Sequence, residues 1–510
     1  MKLLLFLNQF NFYQMKKHYV SFLILSALFS CNHHDPILIT TVDFAQISSI
    51  KIGGEAAAEI TAFDPETNQL FVVNNSGSSK VDIVNFSDPS NPTITGSIDV
   101  TQFGGGVNSV AVKNGMLAMA VEANTKTDPG MVVVFSTDQL TSPIAQVAVG
   151  ALPDMVIFSP NGRFIVSANE GEPNDAYTID PVGTISVIDV NASFSVSTLG
   201  FEGFESQKTS LMSKGFRVFG AGASLAQDVE PEYVAIDENS EFAWVTLQEN
   251  NGMAKVNLST KTITDVFPFG LKDNSLDGNE LDVSDRDNEV TLKSWPLFSY
   301  FLPDALVNYS VNGNNYLITA NEGDTRDYDG YSEESRVKDL DLDPFAFPNA
   351  EQLQKDENMG RYTVTTSAGD ANGDGKFEKL YGIGARSFTV WDGASGAMVM
   401  DYNSLEKDFI AAAPNSYDDG RSDNKGVEPE GVTMGAINEK TLVFVGMERV
   451  DAVMVYELKG ISSFNFIQVL ETGDAPEGVL FISAEESPNG KPLLIVSSER
   501  DGFLRIYQNN

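Results

Sequence analysis

The stretch that decides the fold is Asp154-Met-Val-Ile-Phe158, followed by Phe164-Ile-Val-Ser167, Asn169-Glu170-Gly171 and Thr184-Ile-Ser-Val-Ile188. It holds three short apolar runs, and the turn pair Asn161-Gly162 separates the first run from the second. Short apolar runs between turns are typical of β-strands, and no long segment with helical periodicity competes with them. The second run ends beside a glutamate, Glu170, which marks the unit.

This unit recurs along the chain. Five clear copies are present, and they begin at Asp154, Glu232, Asp304, Glu430 and Glu477. Two weaker copies run from Ala58 to Phe86 and from Val107 to Phe135. One such unit cannot bury both of its faces, whereas seven units packed radially can. A β-sandwich does not account for the repeat, and a β-helix needs shorter and more regular rungs. The sequence therefore predicts an all-β fold, a seven-bladed β-propeller with long loop insertions.

The repeat also predicts the domain boundaries. Residues 1–31 are expected to form a signal peptide, 32–50 a linker and ring-closing strand, and 51–510 a single propeller domain. The β-rich stretch from Ile37 to Ile52 is expected to pair with the last blade, because closing the ring removes exposed strand edges. Long loops on a rigid scaffold are where function usually resides. Three insertions interrupt the repeat, at about 200–228, 260–300 and 330–380.

The N-terminal segment has the pattern of an export signal. Lys16-Lys17 is a basic region, and the apolar run from Tyr19 to Phe29 is too short to span a bilayer. The end of this run and the two residues after it, Leu28-Phe29-Ser30-Cys31, resemble the bacterial lipobox, in which the cysteine carries a lipid. An ordinary signal peptide cut near Ser30 is the alternative. We therefore expect an exported outer-membrane lipoprotein, facing the periplasm or the cell surface and attached to the membrane only through Cys31.

The composition excludes several classes of function. The chain has 71 Asp and Glu residues against 33 Lys and Arg residues, a net charge of -38. Such a surface repels nucleic acid, which is therefore not an expected partner. We expect a monomer whose partner is a surface ligand or protein that the sequence does not identify. Cys31 is the only cysteine, and the three histidines are His18, His33 and His34. The body of the chain therefore cannot build a Ser-His-Asp triad or a zinc site made of His and Cys.

The recurring glutamates are the first candidate site. Equivalent positions in a propeller lie at equal height around one axis, so these carboxylates are expected to converge. Converging carboxylates repel one another unless a cation or an arginine neutralises them. Oxygen ligands without His or Cys favour Ca²⁺, with Mg²⁺ as the weaker alternative. Glu122 and Glu249 share the pattern, and the predicted metal ligands are Glu170, Glu322, Glu448 and Glu499. The alternative is that each glutamate pairs with a backbone amide or an arginine and only ties the blades together.

A second candidate metal site is the loop Asp370-Ala-Asn-Gly-Asp-Gly-Lys-Phe-Glu378. Its D-x-N-x-D-G spacing places Asp370, Asn372 and Asp374 on one side of a tight turn, as in calcium loops. The twelfth position is Tyr381, so the loop is not an EF-hand. A solvated turn between strands is the alternative.

Basic residues lie in or beside the acidic motifs. Arginine forks suit phosphate or carboxylate groups, so these side chains are candidate ligand-binding residues. A metal ion with arginines beside a channel is the minimum for a phosphoesterase without histidine. The alternative is that the basic groups only neutralise nearby carboxylates. The residues concerned are Arg326, Arg386, Arg421, Lys425, Arg449 and Arg500.

Six motifs of the chain belong together: Ser167-Ala-Asn-Glu-Gly-Glu-Pro-Asn-Asp175, Gln227-Asp-Val-Glu-Pro-Glu-Tyr233, Leu281-Asp-Val-Ser-Asp-Arg-Asp287, Asn321-Glu-Gly-Asp-Thr-Arg-Asp-Tyr328, Gly384-Ala-Arg-Ser-Phe388 and Arg421-Ser-Asp-Asn-Lys-Gly-Val-Glu-Pro-Glu-Gly431. Together they resemble the bacterial choice-of-anchor I propeller family. This family is related to a mesenchyme-specific cell-surface glycoprotein and is often labelled alkaline-phosphatase-like or phytase-like. The resemblance spans roughly residues 50–507 and implies a propeller at the cell surface, held by varied anchors.

Two functions remain open at this point. The first is a non-enzymatic, Ca²⁺-stabilised module of the cell envelope that binds a ligand or a partner through its loop face. The second is a metal-dependent phosphoester hydrolase, in which a metal activates water and arginines hold the phosphate. The sequence does not name catalytic residues for the second function.

Overall fold

The computed structural model describes residues 41–220 and 222–510. Seventeen strands lie before residue 270, where short apolar runs alternate with turns. They are β1 (Phe44–Lys51), β2 (Ala57–Asp64), β3 (Gln69–Asn74), β4 (Lys80–Asn85), β5 (Thr93–Asp99), β6 (Val107–Lys113), β7 (Met116–Val121), β8 (Pro129–Ser136), β9 (Ala145–Ala151), β10 (Pro153–Phe158), β11 (Phe164–Asn169), β12 (Thr184–Asp189), β13 (Ser195–Leu199), β14 (Pro231–Ile236), β15 (Phe242–Leu247), β16 (Gly252–Asn257) and β17 (Thr262–Pro268).

The remaining strands include several very short ones. They are β18 (Lys272–Asp273), β19 (Phe298–Ser299), β20 (Leu306–Val311), β21 (Asn314–Ala320), β22 (Asp327–Tyr328), β23 (Tyr331–Ser332), β24 (Glu334–Arg336), β25 (Thr363–Thr365), β26 (Tyr381–Gly382), β27 (Phe388–Asp392), β28 (Met398–Tyr402), β29 (Pro429–Ile437), β30 (Lys440–Met447), β31 (Ala452–Lys459), β32 (Ser463–Glu471), β33 (Pro476–Ile482), β34 (Leu493–Ser498) and β35 (Phe503–Asn509).

Helices are few and short in the described part of the chain. The α-helices are α1 (Lys208–Met212), α2 (Leu225–Asp228), α3 (Ala350–Leu353) and α4 (Leu405–Ala412). Short 3₁₀ turns cover Val190–Ala192, Glu202–Gln207, Val337–Asp339, Asp419–Arg421 and Glu448–Val450. None of the helices in residues 41–220 and 222–510 combines the length and the hydrophobicity that crossing a bilayer requires.

Seven sheets have four antiparallel strands each. Sheets 1 to 4 take their strands in chain order: β2 to β5, β6 to β9, β10 to β13 and β14 to β17. Sheet 5 is β20-β21-β27-β28, and sheet 6 is β29 to β32. Sheet 7 runs β33-β34-β35-β1, so its outermost strand comes from the N-terminal side. Phe44 at the start of β1 pairs with Asn509, and Lys51 pairs with Phe503.

The first strands of the seven sheets form a closed ring. Each of β2, β6, β10, β14, β20 and β29 contacts the first strand of the following sheet, and β33 contacts β2. Buried aliphatic and aromatic side chains fill the spaces between neighbouring sheets, for example between sheets 1 and 2 and between sheets 5 and 6. This arrangement is a β-propeller, and the predicted all-β propeller class is confirmed.

The repeat unit has one strand more than the sequence pattern indicated. We expected three strands in each unit, but every sheet carries a fourth, outermost strand. In β5, five consecutive residues from Thr93 are exposed, so this strand lacks the apolar run that marked the others. Sheet 5 also departs from the regular spacing, because residues 321–387 separate its second strand from its third.

The insertions contain regular secondary structure, although the sequence indicated loops. Residues 202–228 form a 3₁₀ turn, α1 and α2. The second insertion begins only after Pro268, since 262–268 is the outer strand of sheet 4. It combines with the third insertion into a small sheet, β18-β19-β26-β25-β24, with its own buried apolar cluster. That cluster includes Leu281, Val283 and Tyr362, so the two insertions are packed together.

Candidate functional site: the acidic mouth of the channel

A polar residue stands at the start of each first strand. In six of the seven sheets the pairing register shifts at this point, as between Pro153 and Val156 in sheet 3. Such bulges re-aim the side chain that they contain. We call these residues the first-strand set: Glu59, Asn108, Asp154, Glu232, Asp304, Glu430 and Glu477.

A second polar residue follows the second strand of each sheet, within two positions of its end. Six of these residues are the recurring glutamates of the sequence, and the seventh is an asparagine. We call them the second-strand set: Asn75, Glu122, Glu170, Glu249, Glu322, Glu448 and Glu499. The two sets together form an acidic mouth at one end of the channel, and each set contributes six carboxylates and one amide.

Three carboxylates of the mouth converge between sheets 3 and 4. One oxygen from each of Asp154, Glu170 and Glu232 lies within 4.8 Å of the other two. Glu170 and Glu232 are each only 8% exposed. Within the described part of the chain, no hydrogen bond or ion pair engages these three carboxylates. Glu249 lies beside them; it is 5% exposed, and its buried Oε2 has no hydrogen-bond partner among the described residues.

Burial and mutual repulsion act together on this cluster. Burial, followed by the charge of Glu172, raises the pKa of Asp154 to about 7. Burial raises the pKa values of Glu170 and Glu232 well above the usual range, and the neighbouring carboxylates raise them further. Carboxylates in such surroundings must take up protons or a cation. The cluster therefore has both the ligand atoms and the unmet charge that favour binding of a divalent ion.

A second triad lies between sheets 5 and 6, but here basic side chains occupy it. Glu322, Glu428 and Glu448 also have oxygens within 4.8 Å of one another. Lys425 Nζ lies 2.8 Å from Glu322 and 3.5 Å from Glu428. Arg449 pairs with Glu428 and with Glu448. Burial would raise the pKa of Glu428, but Lys425 and the two arginines at 421 and 449 hold it below its usual value. The protein thus neutralises this triad by itself.

A third acidic group lies between sheets 7 and 1. It consists of Glu59, Glu477 and Glu499. Burial, followed by the charge of Glu499, raises the pKa of Glu59 to about 8, although Asn75 Nδ2 donates a 3.0 Å hydrogen bond to this carboxylate. Burial and then the charges of Glu59 and Glu499 raise the pKa of Glu477 well above its usual value. Among the described residues, no Lys or Arg forms an ion pair with these three carboxylates.

All six predicted basic ligand-binding residues are engaged with protein groups. Arg326 is buried and contacts Asp228 and Glu230 at 2.7 and 3.0 Å. Arg386 is also buried, and its guanidinium group donates hydrogen bonds to the backbone carbonyls of Asp282, Ser422 and Asn424. Arg421, Lys425 and Arg449 all pair with Glu428. Arg500 is 44% exposed and lies 3.7 Å from Glu448. These pairings favour the neutralising role that the sequence left open.

The predicted calcium loop brings a different set of side chains together. Oxygens of Asp370, Asp374 and Glu378 lie within 4.8 Å of one another. The Asp370 carboxylate already accepts hydrogen bonds from the backbone amides of Gly373 and Gly375, at 2.7 and 2.9 Å. Asn372 turns its amide nitrogen toward Glu378. The loop geometry is therefore satisfied without an ion, and metal binding here stays a prediction.

Sequence reasoning identified the second-strand glutamates but missed their partners. Asp154, Glu232 and Glu428 were not among the predicted ligands. A signal for the first two was present, because a proline precedes the acidic residue at the start of five first strands. These pairs are Pro153-Asp154, Pro231-Glu232, Pro303-Asp304, Pro429-Glu430 and Pro476-Glu477.

Comparison with known proteins identifies similar folds and one curated relative. Gigasin-3a of Magallana gigas is 28% identical over 190 residues, which cover 30% of this chain and 66% of Gigasin-3a. Hydrazine synthase of Kuenenia stuttgartiensis superposes with a TM-score of 0.49 at 13% identity, over 90% of this chain and 96% of that one. The β-propeller domain of Cps50 (Swd1) from Myceliophteria thermophila gives 0.45 at 8% identity, over 92% of this chain and all of that domain.

The family comparison is more specific than the structural one. The model of the choice-of-anchor I domain matches residues 59–461. That range includes Asp154, Glu170 and Glu232, together with the triad that Lys425 neutralises. It ends before β33, so the seventh sheet lies beyond the match. Because the match spans well over half of its length, this chain belongs to the choice-of-anchor I family.

Proposed function

We propose that this protein is a lipid-anchored binding module of the cell envelope, whose propeller binds Ca²⁺ at Asp154, Glu170 and Glu232. The observation that carries the proposal is the convergence of these three carboxylates without any basic partner. Membership in the choice-of-anchor I family indicates a surface or cell-envelope module. The bound ion would fix the mouth from which the module contacts its ligand or partner.

The donor set favours Ca²⁺ over other ions. All available ligand atoms are carboxylate oxygens, and residues 41–510 contain no His or Cys. Hard oxygen ligands select Ca²⁺ or Mg²⁺. Ca²⁺ tolerates irregular geometry with carboxylates from distant parts of a chain, whereas Mg²⁺ needs a near-ideal octahedron and keeps several waters. Three carboxylates from two sheets, with Glu249 beside them, fit the larger ion better.

The alternative of phosphoester hydrolysis has weaker support. A hydrolase of this kind needs basic side chains that are free to hold phosphate beside the metal. Lys425 and Arg449 are committed to the second triad, and Arg326 is committed to Asp228 and Glu230. The charge of Lys126 interacts with Glu170, but Lys126 pairs with Glu172 at 2.7 Å. A binding module therefore accounts for more of the site than an enzyme does.

Calcium titration of the mature protein tests the proposal. After treatment with a chelator, added Ca²⁺ should bind and raise the melting temperature. At about 100 times the dissociation constant the gain is about 2.7 kcal/mol. Glu170→Gln should abolish most of this response, while Glu238→Gln, in an exposed turn, should keep it. A wild-type protein that binds no Ca²⁺ by calorimetry would refute the calcium site.

The same preparation separates the two functions. Wild type and Glu170→Gln should both fail to hydrolyse a panel of phosphomonoesters and phosphodiesters, with or without Ca²⁺. Calcium-dependent turnover that Glu170→Gln removes would instead establish the hydrolase.

The anchor has its own test, since Cys31 lies outside the described residues. In the proposal, the lipid on Cys31 holds the propeller at the membrane. Cys31→Ser should move the protein from the membrane fraction to the soluble fraction and abolish incorporation of labelled fatty acid. A variant that still pellets with membranes and still carries label would contradict this part of the proposal.

A further inference from the structure

The central channel is a feature that the calcium site does not explain. It encloses a cavity of about 350 Å³. Its walls combine polar and apolar surface, and apolar side chains come from successive positions of the first strands, including Ile60, Val110, Val156, Val432 and Leu480. At the end where these strands begin, the lining contains the carboxylates of Asp154, Asp304 and Glu477. The cavity therefore has apolar side chains along its walls, beside polar surface, and carboxylates at one end.

The acidic end retains negative charge after all identified cations are counted. Ca²⁺ would neutralise the cluster between sheets 3 and 4, and Lys425 with Arg449 neutralises the triad between sheets 5 and 6. The group between sheets 7 and 1 has neither. Glu477 belongs to this group and also lines the cavity. Among the described residues, Glu477 and Asp304 line the cavity without an ion pair to any Lys or Arg, so a cation that enters the channel would meet unpaired carboxylates there.

This second cation is not expected to be a metal ion. In residues 41–220 and 222–510, three triads of acidic ligand atoms approach one another closely enough to hold a metal, and Glu477 is in none of them. An ammonium group has less strict requirements, because its three N–H donors can each reach a separate carboxylate. Lys425 shows that this propeller already uses an alkylammonium group to neutralise a mouth carboxylate, Glu322.

We infer that the channel binds a linear aliphatic amine, with its ammonium group at Glu477 and Asp304 and its alkyl chain along the apolar side chains of the channel walls. The inference rests on the proposed binding function and names the chemical class of its ligand. An aliphatic chain matches the walls that Ile60, Val110 and Val432 provide, and the ammonium group matches the acidic end. A free polyamine and a lysine side chain of a partner protein both carry this chemistry.

Calorimetry on the full mature protein, saturated with Ca²⁺, tests the inference. Spermidine and 1,5-diaminopentane should bind, whereas 1,5-pentanediol, which has the same chain without charge, should not. Glu477→Gln should weaken amine binding about tenfold or more, since the ammonium group then meets a neutral amide oxygen in place of a charged carboxylate. Glu238→Gln is the control, because Glu238 lies in an exposed turn and is not part of the cavity lining. Its affinity for the amines should match that of the wild type.

Three outcomes would overturn the inference: no amine binding at matched ionic strength, equal binding of the diol, or equal weakening by the two variants. The last would show general attraction to an acidic protein. Asp304→Asn repeats the test should Glu477→Gln fail to fold, as judged by circular dichroism. A lysine-containing peptide and its Nε-acetylated form distinguish a partner's side chain from a free polyamine. Ca²⁺ titrations of the same samples measure the calcium site independently of the amine site. A protein that binds the amines but not Ca²⁺ would therefore refute only the calcium site.

Discussion

Lys425 Nζ lies 2.8 Å from Glu322 Oε1, in the triad between sheets 5 and 6. Glu170 holds the corresponding place in sheet 3, yet no ion pair reaches it within the described residues. This difference in charge pairing arises from the first residue of two related motifs, Gln227-Asp-Val-Glu-Pro-Glu232 and Lys425-Gly-Val-Glu-Pro-Glu430. Where the second motif supplies an ammonium group, the first supplies Gln227, whose amide donates to the Asp180 carbonyl at 3.2 Å. The protein therefore neutralises one triad with its own lysine, and the other triad can accept an external cation.

Removing the internal cation should destabilise the protein strongly. Lys425→Met leaves Glu322 and Glu428 buried with less compensation, and breaking a buried pair in this way costs about 3 kcal/mol or more. Urea unfolding should show this loss, and the double variant Lys425→Met/Glu322→Gln should recover part of it. Lys459→Met is the control, because Lys459 is exposed and lies 3.7 Å from its partner Glu457. Equal stabilities for Lys425→Met and the control would show that the pair contributes nothing.

The stability of the calcium-free protein should fall as the pH rises from 5.5 to 8. Burial raises the pKa of Asp154 to about 7 and that of Glu59 to about 8, whereas unfolded carboxylates titrate near 4. A raised folded-state pKa gives stability that is present at low pH and is lost as the pH passes through that value. Histidine does not obscure the effect, since residues 41–510 contain none. The melting temperature in chelator, followed against pH, measures it.

Calcium should reverse this trend. The ion competes with protons for the same carboxylates, so its stabilising effect should be largest at pH 8 and smallest at pH 5.5. A calcium response that is equal at both pH values would mean that the ion binds groups already ionised at pH 5.5.

Substitution of the loop at Asp370 separates its contribution from that of the mouth. If Asp370, Asn372 and Asp374 hold a second Ca²⁺, replacing all three with Ala should remove part of the calcium-dependent rise in melting temperature. Combined with Glu170→Gln, the losses should add, because independent sites contribute independently. A triple variant that keeps the full response would show that this loop holds no stabilising Ca²⁺ and that the Asp370 carboxylate only accepts the amide bonds of the turn.

Deleting residues 37–52 should destabilise the whole propeller. The deletion removes β1, exposes the edge of β35 and takes away Phe44, which packs edge-to-face on Phe444 at 5.4 Å. Loss of one buried phenylalanine costs about 3 kcal/mol. Deleting 32–38 is the control, because it leaves β1 intact. Thermal unfolding should remain a single transition at a lower temperature, and an unchanged melting temperature would contradict the role of β1 in closing the ring.

The sequence by itself determined the repeat, the propeller class and the second-strand glutamates. A strand that is buried on both faces needs a continuous apolar run, as in Phe164-Ile-Val-Ser167, and such runs are visible without a structure. The outer strands of sheets 1 to 6 escaped detection for the converse reason, since most residues of a strand such as β5 face solvent and carry no periodic signal. The outer strand of sheet 7, β1, was expected from the stretch Ile37 to Ile52. The absence of histidine likewise fixed which chemistries the body of the chain cannot perform.

Only the tertiary structure decided which carboxylates share a site. Asp154 and Glu170 lie in one sheet but Glu232 comes from the next, so their meeting depends on how neighbouring sheets pack. The same packing brings Lys425 to Glu322 across more than a hundred residues of sequence. Charge compensation is a property of distances in space, and a linear pattern of acidic and basic residues does not contain those distances. The glutamates of the repeat look equivalent in the sequence, and the packing of the sheets makes one a paired group and another a candidate metal ligand.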